Sequence, residues 1–280
     1  MAWLALIASC LTRPQMLVFA VLLGIVVLRK FGLRANLVAL SWAFVVTFLL
    51  LLPLTFASSP SLPVDLIINN FHSQEAGGND PTATTVSQGA YSIWPLITYL
   101  TEGQSGLQRI YAPSLDHLIG PLSYQRASQI LASAAVVLVA MLLLVRRRER
   151  LERGGYIPAV AVGITAFLML LTGIVSTHFL LPLPFLLLCR RWVDPIPYLF
   201  VAVIWTITTL VPMFGDMGVI LTSGNLLLAP AYKPITEFAI HTYTWDRFIT
   251  AGVTANILAL IWLGWLAIRR HQATYAESAA

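Results

Sequence analysis

Charge is scarce in this sequence. Only 10% of its 280 residues are Asp, Glu, Lys or Arg, against 58% hydrophobic, whereas a soluble domain averages about 25% charged residues. That shortage excludes an ordinary soluble domain and leaves a polytopic membrane protein. Acids are the rarer sign, 12 against 17 Lys and Arg, for a formal net charge of +5. In a membrane chain such an excess reports topology, so nucleic acid is not expected as a partner. Cysteine is nearly absent. Cys10 and Cys189 lie in or beside apolar runs and form no metal or redox spacing, so buried structural thiols are expected and no metal site is. The Met-Ala-Trp-Leu start lacks the basic opening of a cleavable signal peptide, and the N-terminus is expected to lie in the membrane already. Internal repeats and low-complexity tracts are missing too.

Apolar runs are what the chain has in quantity. Crossing about 30 Å of hydrocarbon takes roughly 20 residues, and Leu37 to Phe56, Ala127 to Val145, Tyr156 to Ile174, Pro195 to Met213 and Thr250 to Ile268 meet that length. Pro14 to Leu28, Trp3 to Leu11 and Phe179 to Cys189 are shorter, the last loosened by Pro182 and Pro184. Such segments are tolerated where protein rather than lipid surrounds them. The fold class expected is therefore an all-α polytopic membrane protein with about eight transmembrane helices.

Basic residues orient these spans. Arg29, Lys30 and Arg34; Arg146, Arg147, Arg148, Arg150 and Arg153; Arg190 and Arg191; and Arg269 and Arg270 fall on one side if eight spans alternate. The stretches Ala57 to Gln125 and Phe214 to Asp246 carry eight of the twelve acids. The positive-inside rule then puts both termini in the cytoplasm and both long loops outside. The implied organisation is N-terminal helices over 1–56, an external loop over 57–125, and central helices over 126–213. A second external loop covers 214–249, and the last helix with a cytoplasmic tail covers 250–280. Together the two loops form an external cap.

Within the first loop, Asn69 to Thr85 is rich in Gly, Asn, Asp and Pro and reads as irregular. Ala90 to Leu100 is apolar and aromatic but too short to span, and is expected to be re-entrant or interfacial. Leu107 to Gln125 mixes Arg109, Asp116 and His117 with apolar residues, as an interfacial helix would. The run Thr84 to Thr98 leads through small and hydroxylated residues to Ala90, Tyr91 and Trp94, which suits a pocket where membrane meets water. Trp94, with Trp192, Trp245, Trp262 and Trp265, also suits a belt of interfacial anchors.

Three runs resemble, in order, elements of the GT-C glycosyltransferases, polytopic enzymes that use polyprenyl-phosphate sugars, and more narrowly their bacterial mannosyltransferase-like branch. Leu11-Thr12-Arg13-Pro14-Gln15 resembles a Thr-Lys-Pro-Gln element at the head of a helix. Ser87 to Leu96 resembles an Asn-Ala-Tyr-Asn-Leu-Trp segment closing a long external loop. Ser176-Thr177-His178-Phe179-Leu180-Leu181-Pro182 resembles a His-Glu-Arg-Tyr element before a Leu- and Pro-rich helix. The likeness extends over roughly residues 1 to 270 and covers that family's C-terminal portion, with no counterpart to its catalytic first loop. It implies a polytopic fold in a bacterial inner membrane and a bound polyprenyl phosphate or other lipid. The carrier would meet Arg13, Gln15, Tyr91, Trp94 and His178.

The departures matter as much. Gly89 and Ser92 stand where the family has Asn, and Thr177, His178 and Phe179 stand where it has Glu-Arg-Tyr. An Arg there would pair bidentately with a carrier phosphate, which a largely neutral His does not reproduce. Arg13 fits a lipid phosphate or a side chain snorkelling to headgroups. Asp80 is the weak candidate for a catalytic base, and Asn-Asp-Pro is also an ordinary turn. His178 fits a haem or pigment ligand, or a hydrogen-bonded structural residue. Two functions follow: a GT-C-like module without its catalytic half, inactive alone, or a remnant serving as an accessory subunit beside other membrane proteins. Transport is disfavoured, because the spans hold little polar beyond Ser, Thr and Asn256.

Overall fold

Uncharged runs of Leu, Val, Ile and Ala favour helix wherever Gly and Pro stay out of their interiors, and helices dominate. The structure, a computed structural model, describes residues 17–57, 87–88, 90–103, 117–145, 155–190, 195–223, 237 and 246–279. The expected span Trp3 to Leu11 and most of both expected external loops lie outside these residues. Among the described residues, three helices are long and apolar enough to cross a membrane, over Tyr124–Val145, Ile196–Phe214 and Arg247–Ile268. The chain is accordingly an integral membrane protein.

The first helix, α1 (Leu17–Ala57), contains one break, at Gly32, whose φ of 81° lies in the left-handed region. A residue with a Cβ adopts that conformation only with strain. Asn36 covers the break, its amide donating to the carbonyls of Gly32 at 2.6 Å and Val27 at 3.1 Å. The sequence places a loop between the spans ending at Leu28 and beginning at Leu37. A single non-helical residue among Arg29, Lys30 and Arg34 stands there instead.

After the short strand β1 (Ser87–Gln88) and helix α2 (Trp94–Glu102) come β2 (His117–Ile119) and β3 (Leu122–Ser123), an antiparallel pair. The interfacial helix expected over Leu107 to Gln125 is therefore corrected over its described part to a hairpin. Gly120, with φ 56°, and Pro121 make the turn that a helix cannot contain. Helix α3 (Tyr124–Val145) then starts at a serine cap, Ser123 Oγ accepting from the Arg126 N–H at 3.2 Å.

Helix α4 (Ile157–Leu170) is buried on almost every side, and it packs against α1, α3, α5 (Leu183–Cys189) and α7 (Asp246–Ala279). A helix apolar all round belongs in an interior. Its 14 residues reach only about 21 Å at 1.5 Å per residue, short of a bilayer. That length is sustainable because protein, not lipid, sheathes both ends. Gly163 lets the neighbours close in: a Cβ there would lie 2.7 Å from Leu22 Cδ1 on α1 and 3.1 Å from Val139 Cγ1 on α3. Leu22, Leu143, Val160, Ile164 and Leu168, all but inaccessible, make the surrounding core.

Beyond α4, Gly173 turns the chain (φ 68°) into β4 (Ile174–Val175), which pairs in parallel with β1. A 3-10 helix (Ser176–Leu180) and α5 (Leu183–Cys189) follow, so the expected Phe179 to Cys189 span is two short pieces divided at Leu181 and Pro182. Helix α6 (Pro195–Ser223) passes through Pro212 and runs beyond the expected loop boundary at 214. Helix α7 (Asp246–Ala279) closes the described chain and packs on α6, α4 and α2. Replacing Gly163 with Val is expected to cost about 1–3 kcal/mol by overpacking, read as a lower thermal midpoint in detergent with unchanged helical content.

Candidate functional site

The non-helical run Ala90 to Ile93 enters the bundle because its polar backbone finds partners there. The first of these are the open carbonyls at the C-terminal end of α4, where the last turn lacks intrahelical donors. Ile93 N–H donates to Met169 O at 3.0 Å, and Trp94 Nε1 donates to Leu170 O at 2.8 Å across 76 residues of sequence. The run and the helix end thus complete each other.

The second partner is α7. Asn256, fully buried, donates through Nδ2 to Tyr91 O at 3.0 Å, across 165 residues. Its Oδ1 accepts from Thr208 Oγ1 on α6. The Tyr91 ring lies directly on the backbone of Gly252, where a Cβ would sit 2.2 Å from Tyr91 Cδ2. Ile249 and Val253 complete the apolar seat of the ring.

From Trp94 the chain becomes α2. Pro95, at the start of the helix, suits a turn whose N–H groups are free in any case. Thr98 Oγ1 reaches back to the carbonyls of Trp94 (3.1 Å) and Pro95 (3.0 Å). Gly103, with φ 73°, ends the helix, its N–H bonding to Tyr99 O. The Trp94 indole meets Tyr124 edge-on, with ring centroids 5.9 Å apart. At the outer end of that pair the Tyr124 hydroxyl donates to Glu102 Oε1 at 3.1 Å and lies 3.2 Å from Thr101 Oγ1.

His178 is buried in the 3-10 helix, and its carbonyl accepts from Leu181 N–H at 3.0 Å. Next to it, Phe179 stacks on Trp205 of α6 with centroids 5.1 Å apart, while Trp205 Nε1 donates to Phe179 O at 3.0 Å. The β1–β4 pairing joins this segment to the run before Tyr91, with Ser87 opposite Ile174 and Gln88 opposite Val175.

Of the expected site residues, Tyr91 and Trp94 thus share one segment, and His178 stands on the segment paired with it. Arg13, Gln15 and Asp80 lie outside the described residues. As a belt anchor Trp94 is corrected: it is completely buried, whereas Trp262 and Trp265 are exposed. Asn256, Thr208 and Gly252 are members that the sequence reading did not place in the site. Asn256 carried a signal, being the one polar residue without a hydroxyl in its expected span. Gly252 carried none, since its role is to leave room for a ring far away in sequence. Chemically the arrangement offers amides, hydroxyls and an indole, engaged in fastening segments together.

Comparison of the chain with family models, with curated proteins and with solved structures finds no match.

Trp94→Phe keeps the ring in place but removes the indole donor and leaves Leu170 O bare. A buried carbonyl so orphaned costs about 1–3 kcal/mol, which should appear as a fall in the unfolding midpoint larger than that of Trp262→Phe.

Proposed function

We propose that this chain is a GT-C-like membrane module that binds a lipid carrier, a polyprenyl phosphate or a lipid of similar build, at the external end of its bundle. The observation that carries the reading is the pairing of β1 with β4. It brings together the two described runs that resemble carrier-site elements, Ser87 to Leu96 and Ser176 to Pro182. Tyr91 and Trp94 are 3% and 0% exposed, so on this reading they hold the shape of the site and do not themselves touch the lipid. Contact with a headgroup falls to the exposed end of α2, where the Thr101 hydroxyl stands beside that of Tyr124. The orientation that goes with this puts the basic clusters in the cytoplasm and the long loops outside a bacterial inner membrane, with about eight spans in all.

A second reading, an accessory subunit of a larger membrane complex, is favoured by α1 beyond Gly32. There Leu37, Val38, Trp42, Phe44 and Phe48 are all more than half exposed, on a helix broad enough to meet partner helices or lipid.

One preparation separates the two. The full chain is extracted from native membranes and treated with a photoactivatable polyprenyl phosphate. The carrier reading expects labelling within 87–103 or 174–180 that unlabelled polyprenyl phosphate suppresses. Labelling no stronger than that of an unrelated membrane protein rejects it, and stoichiometric co-purifying subunits in that case favour the accessory role.

A further inference from the structure

Four features of the docked Ala90 to Thr98 segment bear on whether it is permanently fixed. The first is the proton of Thr208. Its Oγ1 lies within hydrogen-bond distance of Asn256 Oδ1, of Ile204 O at 2.8 Å and of Trp205 O at 3.2 Å. A hydroxyl has one proton to give, so Thr208 can turn from the neighbouring helix to its own without losing a hydrogen bond. The second is Pro212, which has no N–H for the carbonyl four residues earlier, that of Thr208 itself. Helix α6 is therefore least constrained beside this junction. The third is Ser92, wholly buried, whose hydroxyl finds no partner among the described residues. A buried unpaired hydroxyl is unfavourable, and it weighs only on the docked arrangement. The fourth is the Tyr91 seat, a strip of bare backbone at Gly252 flanked by Ile249 and Val253. The ring rests on that strip by close packing, so the seat leaves room for it only while the segment is docked.

We propose that the Ala90 to Thr98 segment is a displaceable strap, and that the Thr208–Asn256 pair is the latch that holds it shut. With Thr208 donating to Asn256 Oδ1, the amide is oriented so that Nδ2 faces Tyr91 O, and the strap is fastened. With Thr208 turned to Ile204 O, the amide is free to rotate, the Tyr91 carbonyl loses its donor, and the Gly252 seat opens between α7 and the strap. Trp94, held to Leu170 O, is the fixed point within the strap about which the Ala90 to Ile93 part moves.

Hydrogen–deuterium exchange on the full chain in lipid nanodiscs tests this, comparing peptides from 88–100 with peptides from α3. Thr208→Val removes the latch proton and keeps the shape. It is expected to speed exchange of the strap amides roughly three- to tenfold, the effect of one lost hydrogen bond, with α3 unchanged. Asn256→Ala is expected to speed it further. Thr206→Val is the control, because among the described residues that hydroxyl bonds within its own helix, to Ala202 O at 2.7 Å. The proposal is overturned if Thr208→Val behaves like Thr206→Val, or if α3 exchange rises in step with the strap. Should Asn256→Ala fail to fold, the Thr208→Val comparison alone decides.

Discussion

A non-helical backbone is stable among apolar helices only where its polar groups find partners, and that constraint organises this protein. Unsatisfied N–H and C=O groups in a hydrocarbon setting cost several kcal/mol each, roughly. Ala90 to Ile93 draws partners from distant parts of the chain: Met169 O accepts from Ile93 N–H, Asn256 Nδ2 donates to Tyr91 O, and Leu170 O takes the indole of the next residue. These bonds run both ways in their effect. The strap is stable because α4 ends with open carbonyls, and α4 can end there because the strap covers them.

The other features follow from that exchange. Helix α4 stays short and central because its C-terminal end is capped by protein, and Gly163 lets α1 and α3 approach closely enough to sheathe its sides. A polar residue in a membrane span is costly unless partnered. Asn256 is partnered twice, by Tyr91 O and by Thr208. The stacked Phe179 and Trp205 pin the 3-10 helix to α6, so α4, α6 and α7 each hold one edge of the same junction. The segments paired there are also the ones on which the proposed carrier site rests, so the fold and the proposed function meet at one place.

Much of the helical scaffold was legible in the sequence. Ala127 to Val145, Pro195 to Met213 and Thr250 to Ile268 are uninterrupted apolar runs, and each forms a helix at that position. Where the reading departed from the structure, local chemistry was the cause. Gly120-Pro121 makes a hairpin within a stretch whose composition suits an interfacial helix, and Gly32 replaces a loop by a single break. The junction was less legible still. Tyr91 and Trp94 stood out by type, but their partners are backbone carbonyls and a bare glycine, which leave no mark in composition. Asn256 was conspicuous, yet nothing in a linear pattern says that it faces Tyr91 rather than another span.

The pairing of Ser87 with Ile174 is the most direct test, because without it the strap has no place in the bundle. Paired strands bring backbones to about 4.8 Å, within the reach of a disulfide. Ser87→Cys combined with Ile174→Cys, in a chain whose Cys10 and Cys189 are replaced by Ala, should cross-link under mild oxidation in membranes. Ser87→Cys combined with Ile130→Cys, on the exposed side of α3, should not. Failure of the first pair to cross-link in folded protein, or equal cross-linking of both, would contradict the account.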